Sequence, residues 1–94
     1  GRIDRVRDNE DGSKTLVEIK NRAKGLFRTV RDYEEIQCQT YMEMLDIYEC
    51  VLIEQYDSKR LSHEIKRDQA MWNEQILPTL RNFCERFHDM LSTN

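Results

Sequence analysis

The distribution of apolar and polar residues near the start of the chain predicts a β-hairpin. Residues 1–6 and residues 15–20 both have the composition of β-strands. Asp11 and Gly12 lie between them and are a strong two-residue turn signal, so we expect the numbers of paired residues to sum to about 23. In this register the beginning of the first strand lies opposite the end of the second.

Apolar residues at intervals of three and four predict two helices further along the chain. The first runs from about residue 29 to residue 47. The second runs from about residue 69 to residue 91, with Asp68 as its N-cap and with Pro78 expected to bend or split it near Leu77. Its apolar stripe is expected to face the core or a partner, and comprises Trp72, Ile76, Leu80, Phe83, Cys84, Phe87 and Leu91.

Two further β-rich runs lie between these helices. Residues 49–56 and residues 61–66 are separated by a polar turn and predict a second hairpin. The last strand carries many charges, which suits the edge of a sheet. The order of elements therefore predicts an α/β domain in which a mixed sheet of four short strands is flanked by helices.

The composition fits one small domain of modest core. The chain has 94 residues, 38% of them hydrophobic, and no apolar run approaches the roughly 20 residues of a membrane span. Fifteen basic and 18 acidic residues give a net charge of −3, so any contacts with nucleic-acid phosphates must be local. Cys38, Cys50 and Cys84 are widely spaced, which predicts buried or half-buried thiols rather than disulfides or a metal cluster. We expect a soluble, intracellular protein.

The predicted hairpin brings charged side chains together. In its expected register Asp4 falls opposite the stretch from Glu18 to Lys20, and Glu18 and Lys20 share one face of their strand while Val17 and Ile19 take the other. Carboxylate oxygens suit a hard divalent cation such as Mg²⁺ or Mn²⁺, and a neighbouring lysine can orient or deprotonate a metal-bound water. Such a patch is equipped to hydrolyse a phosphodiester. The alternative is an exposed, solvated charged face.

A basic loop follows the second strand. It contains Arg22, Lys24 and Arg28, with Gly25 near its centre and Phe27 as its aromatic residue. Its positive charges lie within reach of the predicted metal patch and can neutralise substrate phosphates. The alternative is a solvated connector between the strand and the helix.

A motif on the first helix completes a pattern that resembles a known nuclease superfamily. Asp4 ends a GxxD sequence on the first strand, Glu18 and Lys20 form ExK on the second, and Gln37 and Tyr41 form QxxxY on the helix. This order resembles the PD-(D/E)XK superfamily, in particular RecB-type nuclease domains, lambda-exonuclease-like nucleases and YqaJ-type viral recombinases. In such families the glutamine and tyrosine lie beside the metal site and contact the substrate backbone or support the lysine. If the resemblance is left aside, Gln37 is simply a polar residue and Tyr41 a core aromatic residue on a helix.

The resemblance implies a restriction-endonuclease-like fold and a metal-dependent deoxyribonuclease, acting as an exonuclease in DNA recombination, repair or replication. Asp4 and Glu18 would hold Mg²⁺ or Mn²⁺ with help from the backbone carbonyl of Ile19. Lys20 would position the attacking water and offset charge on the scissile phosphate. The expected partner is DNA, and no membrane is expected.

The resemblance covers residues 1 to about 56, a little over half the chain. In the superfamily a helix and one strand precede the first motif, so we expect a truncated domain from a larger parent chain, or one that works as a homo-oligomer. One alternative is a non-catalytic module that binds nucleic acid or docks onto a larger assembly; the intact Asp4, Glu18 and Lys20 argue against it. Another is a helical interaction domain with a coincidental hairpin, which predicts no metal binding.

Overall fold

The computed structural model describes residues 5–92 and has an α/β fold. Its elements are β1 (Arg5–Asp8), β2 (Lys14–Asn21), α1 (Asp32–Leu45), β3 (Glu49–Tyr56), β4 (Lys59–Lys66), α2 (Gln69–Met71), a π-helical segment (Trp72–Ile76) and α3 (Leu77–Ser92). The four strands form one sheet in the order β1-β2-β3-β4. Strands β2 and β3 are parallel and the other two pairs are antiparallel, which confirms the predicted mixed sheet flanked by helices.

Helix α1 covers one face of the sheet and builds the core. Parallel strands need a crossover connection, and α1 supplies it between β2 and β3. The buried cluster draws on β2, α1, β3 and β4 and consists of Leu16, Cys38, Met42, Ile47, Cys50, Leu52 and Ile65. Cys38 and Cys50 are thus buried as expected, whereas Cys84 is exposed on α3, in contrast to its prediction.

The first hairpin has a longer loop than the sequence suggests. The N–H of Asn9 donates to the carbonyl of Ser13 at 2.9 Å and the N–H of Gly12 donates back to the carbonyl of Asn9 at 3.1 Å. Gly12 has a φ of 88°, so a three-residue loop replaces the expected two-residue turn. Asp11 accepts bonds from the N–H and hydroxyl of Ser13, which fixes the loop. Paired residues consequently sum to 22, and the predicted register was wrong by one residue.

The C-terminal helix, comprising α2, the π-helical segment and α3, begins where the sequence predicts. Asp68 accepts a hydrogen bond from the N–H of Met71 at 3.0 Å, as an N-cap does. The break expected near Pro78 takes the form of a wider turn, in which the N–H of Leu77 bonds to the carbonyl of Trp72. Proline lacks an N–H and crowds the turn before it, and the wider turn accommodates that crowding.

Among the side chains that the structure describes, the apolar stripe of the C-terminal helix is buried near its start and exposed further along. Ile76 is buried, whereas Leu80 and Phe83 are 42% and 65% exposed. The side chains of Phe87 and Leu91 lie outside the described part of the chain. Among residues 5–92, no helix is long and apolar enough to cross a membrane.

Candidate active site at the carboxyl ends of β2 and β3

The predicted ExK motif lies on the α1-facing side of the sheet. Strand side chains alternate, so Glu18 and Lys20 share a face with Leu16, which packs in the core beneath α1. Lys20 lies near the carboxyl end of β2 and pairs in register with Glu54 of the parallel strand β3. The carboxyl ends of parallel strands in open α/β sheets are the usual place for ligands.

Lys20 connects the motif on β2 to the motif on α1. Its Nζ lies 3.3 Å from Oε1 of Glu18 and donates a 2.7 Å hydrogen bond to Oε1 of Gln37. The Glu18 side chain is 2% exposed and that of Lys20 is 19% exposed. A buried carboxylate is costly without a partner, and the ammonium group of Lys20 supplies one. The structure therefore brings together Glu18, Lys20 and Gln37, with the lysine side chain partly exposed.

Tyr41 lies one helical turn after Gln37, as the motif requires, but has a different environment. Its side chain is partly buried and packs against the hydrophobic core cluster. The ring therefore contributes to the core, as the helical spacing alone predicts. Its predicted contact with substrate stays a prediction.

The predicted metal ligands are only partly within the described chain. Asp4 lies outside the described residues, and Glu18 and Ile19 are adjacent in β2. Among residues 5–92, no group of three or more His, Cys, Asp or Glu side chains is placed to hold a metal ion. The donors named by the sequence are carboxylate and carbonyl oxygens, which suit Mg²⁺ or Mn²⁺, but Glu18 alone does not make a site. Metal binding stays a prediction that depends on Asp4.

Arg22 has a structural role in place of the predicted contact with substrate. Its guanidinium bonds Glu34 through Nη1 at 2.6 Å and Nη2 at 3.2 Å, and bonds Glu54 through Nε at 3.1 Å and Nη2 at 2.9 Å. The Arg22 side chain is only 6% exposed, and both carboxylates are essentially buried. A guanidinium that is enclosed by two carboxylates does not present its charge to a phosphate. Sequence reasoning missed Glu34 and Glu54 altogether.

These ion pairs shift the titration of all three groups. Burial raises the pKa of Glu34 and of Glu54, but hydrogen bonds from Arg22 and from backbone N–H groups outweigh it, so both pKa values lie below the ordinary one. The hydrogen bond to Glu34 raises the pKa of Arg22, which burial opposes. The network is therefore charged at neutral pH.

The basic loop, residues 22–31, is tied to this network. Arg28 and Lys24 have exposed side chains, as a phosphate contact requires. The ring of Phe27 lies beneath the guanidinium groups of Arg22 and Arg31, at 3.9 Å and 4.5 Å from its centroid. The loop follows the carboxyl end of β2, the end at which Lys20 lies. The loop is thus anchored through Arg22 and Phe27, and its contact with substrate phosphates stays a prediction.

Comparisons with known proteins bear on the fold. No protein-family model matches the chain, and no curated protein matches it. Among solved structures, the crystal structure of SSO0001 is similar, with 25% sequence identity and a TM-score of 0.58. The match covers 76% of this chain and 35% of the SSO0001 chain, so the similarity spans about a third of that structure. It supports the α/β architecture with a mixed sheet.

Proposed function

We propose that this chain carries the catalytic core of a metal-dependent deoxyribonuclease that hydrolyses DNA phosphodiester bonds. The observation that carries the proposal is the contact of Lys20 with both Glu18 and Gln37, at 3.3 Å and 2.7 Å. These residues come from two motifs that are separate in sequence, and their convergence is what the resemblance to PD-(D/E)XK nucleases requires. A coincidental hairpin gives no reason for such a contact.

In the proposed mechanism Glu18 and Asp4 would be the carboxylate ligands of Mg²⁺ or Mn²⁺, together with the backbone carbonyl of Ile19. The bound ion would supply Lewis-acid stabilisation of phosphate charge and a more acidic water. Lys20 orients the attacking water through its ammonium group and offsets negative charge that develops on the phosphate. Gln37 accepts one N–H of Lys20, which holds the ammonium group in place for that role.

The substrate is DNA, held locally at the carboxyl ends of β2 and β3. The chain has a net charge of −3, so its overall field does not attract a polyanion. Lys24 and Arg28 provide exposed positive charge on the basic loop at that end of the sheet. We propose that they contact substrate phosphates, that the enzyme acts as an exonuclease from DNA ends, and that it serves recombination, repair or replication.

The direct test is digestion of end-labelled linear DNA and of covalently closed circular DNA, each with Mg²⁺ and with a chelator. We expect Mg²⁺-dependent release of label from the linear substrate and an intact circle. Cleavage of the circular DNA would show that the enzyme is an endonuclease and not an exonuclease. Binding of DNA without cleavage of either substrate in Mg²⁺ or Mn²⁺ would favour the non-catalytic module.

A further inference from the structure

One buried carboxylate on β3 holds the backbone of the basic loop. Oε1 of Glu54 accepts the N–H of Arg28 at 2.7 Å, and Oε2 accepts the N–H of Phe27 at 3.3 Å. Oε2 also receives the two hydrogen bonds from Arg22 at the start of the loop. We infer that Glu54 is a positioning residue that fixes the basic loop in the conformation in which Lys24 and Arg28 reach substrate phosphates.

The backbone of the loop needs such an anchor. Arg28 has a φ of 63°, a left-handed conformation that is unfavourable for a residue other than glycine. The short bond from its N–H to Glu54 offsets this cost. At the other end of the loop, Glu34 accepts the N–H of Arg31 at 3.0 Å. Two buried carboxylates therefore hold the loop backbone, while the cationic side chains of Lys24 and Arg28 remain exposed.

The position of Glu54 in the sheet connects the loop to the candidate active site. Glu54 is the register partner of Lys20 across the parallel strands, so one strand pair places both the proposed water-positioning lysine and the loop anchor. The inference rests on the proposed function, because it assigns to the loop the phosphates of the same DNA substrate. It adds a residue that no motif contains.

Charge and position predict opposite effects for removal of Glu54. Glu54→Gln deletes one negative charge near the proposed substrate, so electrostatics alone would strengthen DNA binding. Loss of the anchor should instead weaken it, because Lys24 and Arg28 would no longer be held where they contact the phosphates. Glu49→Gln is the matched control, since it removes the same charge from an exposed position at the other end of β3.

The experiment measures DNA affinity by fluorescence anisotropy with a labelled oligonucleotide in a chelator, over a range of salt concentrations. The double variant Lys24→Ala/Arg28→Ala should reduce the steepness of the plot of log association constant against log salt concentration. The slope should change by about 1.4–1.8, the value for two phosphate contacts. Glu54→Gln should bind less tightly than both the parent and Glu49→Gln and show a similar loss of slope. Adding Glu54→Gln to the double alanine variant should change the slope no further.

The outcomes separate the inference from the function it rests on. The positioning role is overturned if Glu54→Gln binds DNA as tightly as Glu49→Gln. It is also overturned if the effect of Glu54→Gln on affinity adds fully to that of the double alanine variant. A parent chain that binds no DNA, or a double alanine variant that binds like the parent, instead contradicts the proposed phosphate contacts. If Glu54→Gln does not fold, the anchor is tested in the parent protein by hydrogen exchange of the Arg28 N–H. We expect slow exchange of the Arg28 N–H, and fast exchange in the folded protein overturns the anchor.

Discussion

Nζ of Lys20 donates a 2.7 Å hydrogen bond to Oε1 of Gln37, and this bond joins the central sheet to helix α1 at the candidate active site. A lysine ammonium has three N–H donors on a flexible stem, so its direction depends on the acceptors around it. Glu18 is a second neighbour, 3.3 Å away. Glu18 and Gln37 thus hold Lys20 from two elements.

Replacement of Gln37 should therefore reduce cleavage without removing a metal ligand. We expect Gln37→Leu to lower kcat by about 10- to 100-fold, the effect of losing a hydrogen bond to a charged group. Gln37→Glu keeps an acceptor for Lys20 and should retain more activity than Gln37→Leu. Single-turnover kinetics with saturating DNA measures both variants, and a Gln37→Leu variant with the parental rate would show that Lys20 needs no support from α1.

Replacement of Arg22 should destabilise the fold. Arg22→Met leaves Glu34 and Glu54 buried without their cation, which typically costs about 3–5 kcal/mol. Arg60→Met is the control, because Arg60 is exposed and bonds only loosely to Gln55 at 3.3 Å. Urea denaturation gives the free energy of unfolding, and equal values for the two variants would contradict a structural role for the network.

The same variant should change how stability depends on pH. The pKa values of Glu34 and Glu54 are lowered in the folded parent, so their contribution is present above the ordinary pKa of about 4.3 and is lost as pH falls through the lower folded values. Without Arg22, burial should raise both pKa values above the ordinary one. The folded variant then binds protons more readily than the unfolded chain, and its stability should rise as pH falls from 7 toward 5.

This pH profile needs a control for neighbouring groups that titrate. His63 lies 3.6 Å from Glu54, and Lys20 lies close enough to Glu34 to lower its pKa. The profile should therefore be repeated with His63→Gln in both backgrounds, because His63 is an ionisable neighbour of Glu54. If Arg22→Met and the parent keep parallel profiles between pH 7 and pH 5, the assigned charge network is wrong.

Metal binding should depend on Asp4. A metal at 100 times its Kd stabilises the folded state by about 2.7 kcal/mol, which for a domain of this size raises Tm by roughly 10–20 °C. We expect Mn²⁺ to raise Tm of the parent and to raise that of Asp4→Asn much less. Asp8→Asn is the matched control, because Asp8 is an exposed acid in β1 that pairs with Lys14. Equal Mn²⁺ shifts in the parent and in Asp4→Asn would exclude the proposed site.

Periodic patterns made most of the fold predictable. The strands and helices follow from local alternation and from spacing of three and four, and Asp68 marks its helix start through a contact only three residues away. The register of the first hairpin was missed because it depends on the left-handed conformation of Gly12, which allows a two- or a three-residue loop.

The Arg22 network was not predictable from spacing, because its partners lie 12 and 32 residues away. One signal was present in the sequence. Glu54 follows Cys50 and Leu52 at alternate positions of an apolar strand, so its side chain had to face the core. A buried carboxylate needs a cation or several N–H donors, and the basic loop contains both.

The most direct test of the account compares metal binding and DNA cleavage in Lys20→Met. Methionine keeps the apolar bulk of the stem and leaves Asp4 and Glu18 in place, and Lys14→Met is the control on the same face of β2, where Lys14 is exposed. We predict that Mn²⁺ affinity holds or rises in Lys20→Met while Mg²⁺-dependent cleavage falls by about 10² or more, with Lys14→Met unchanged. Cleavage by Lys20→Met at the parental rate would contradict the account and leave Lys20 as a structural partner of Glu18 and Gln37.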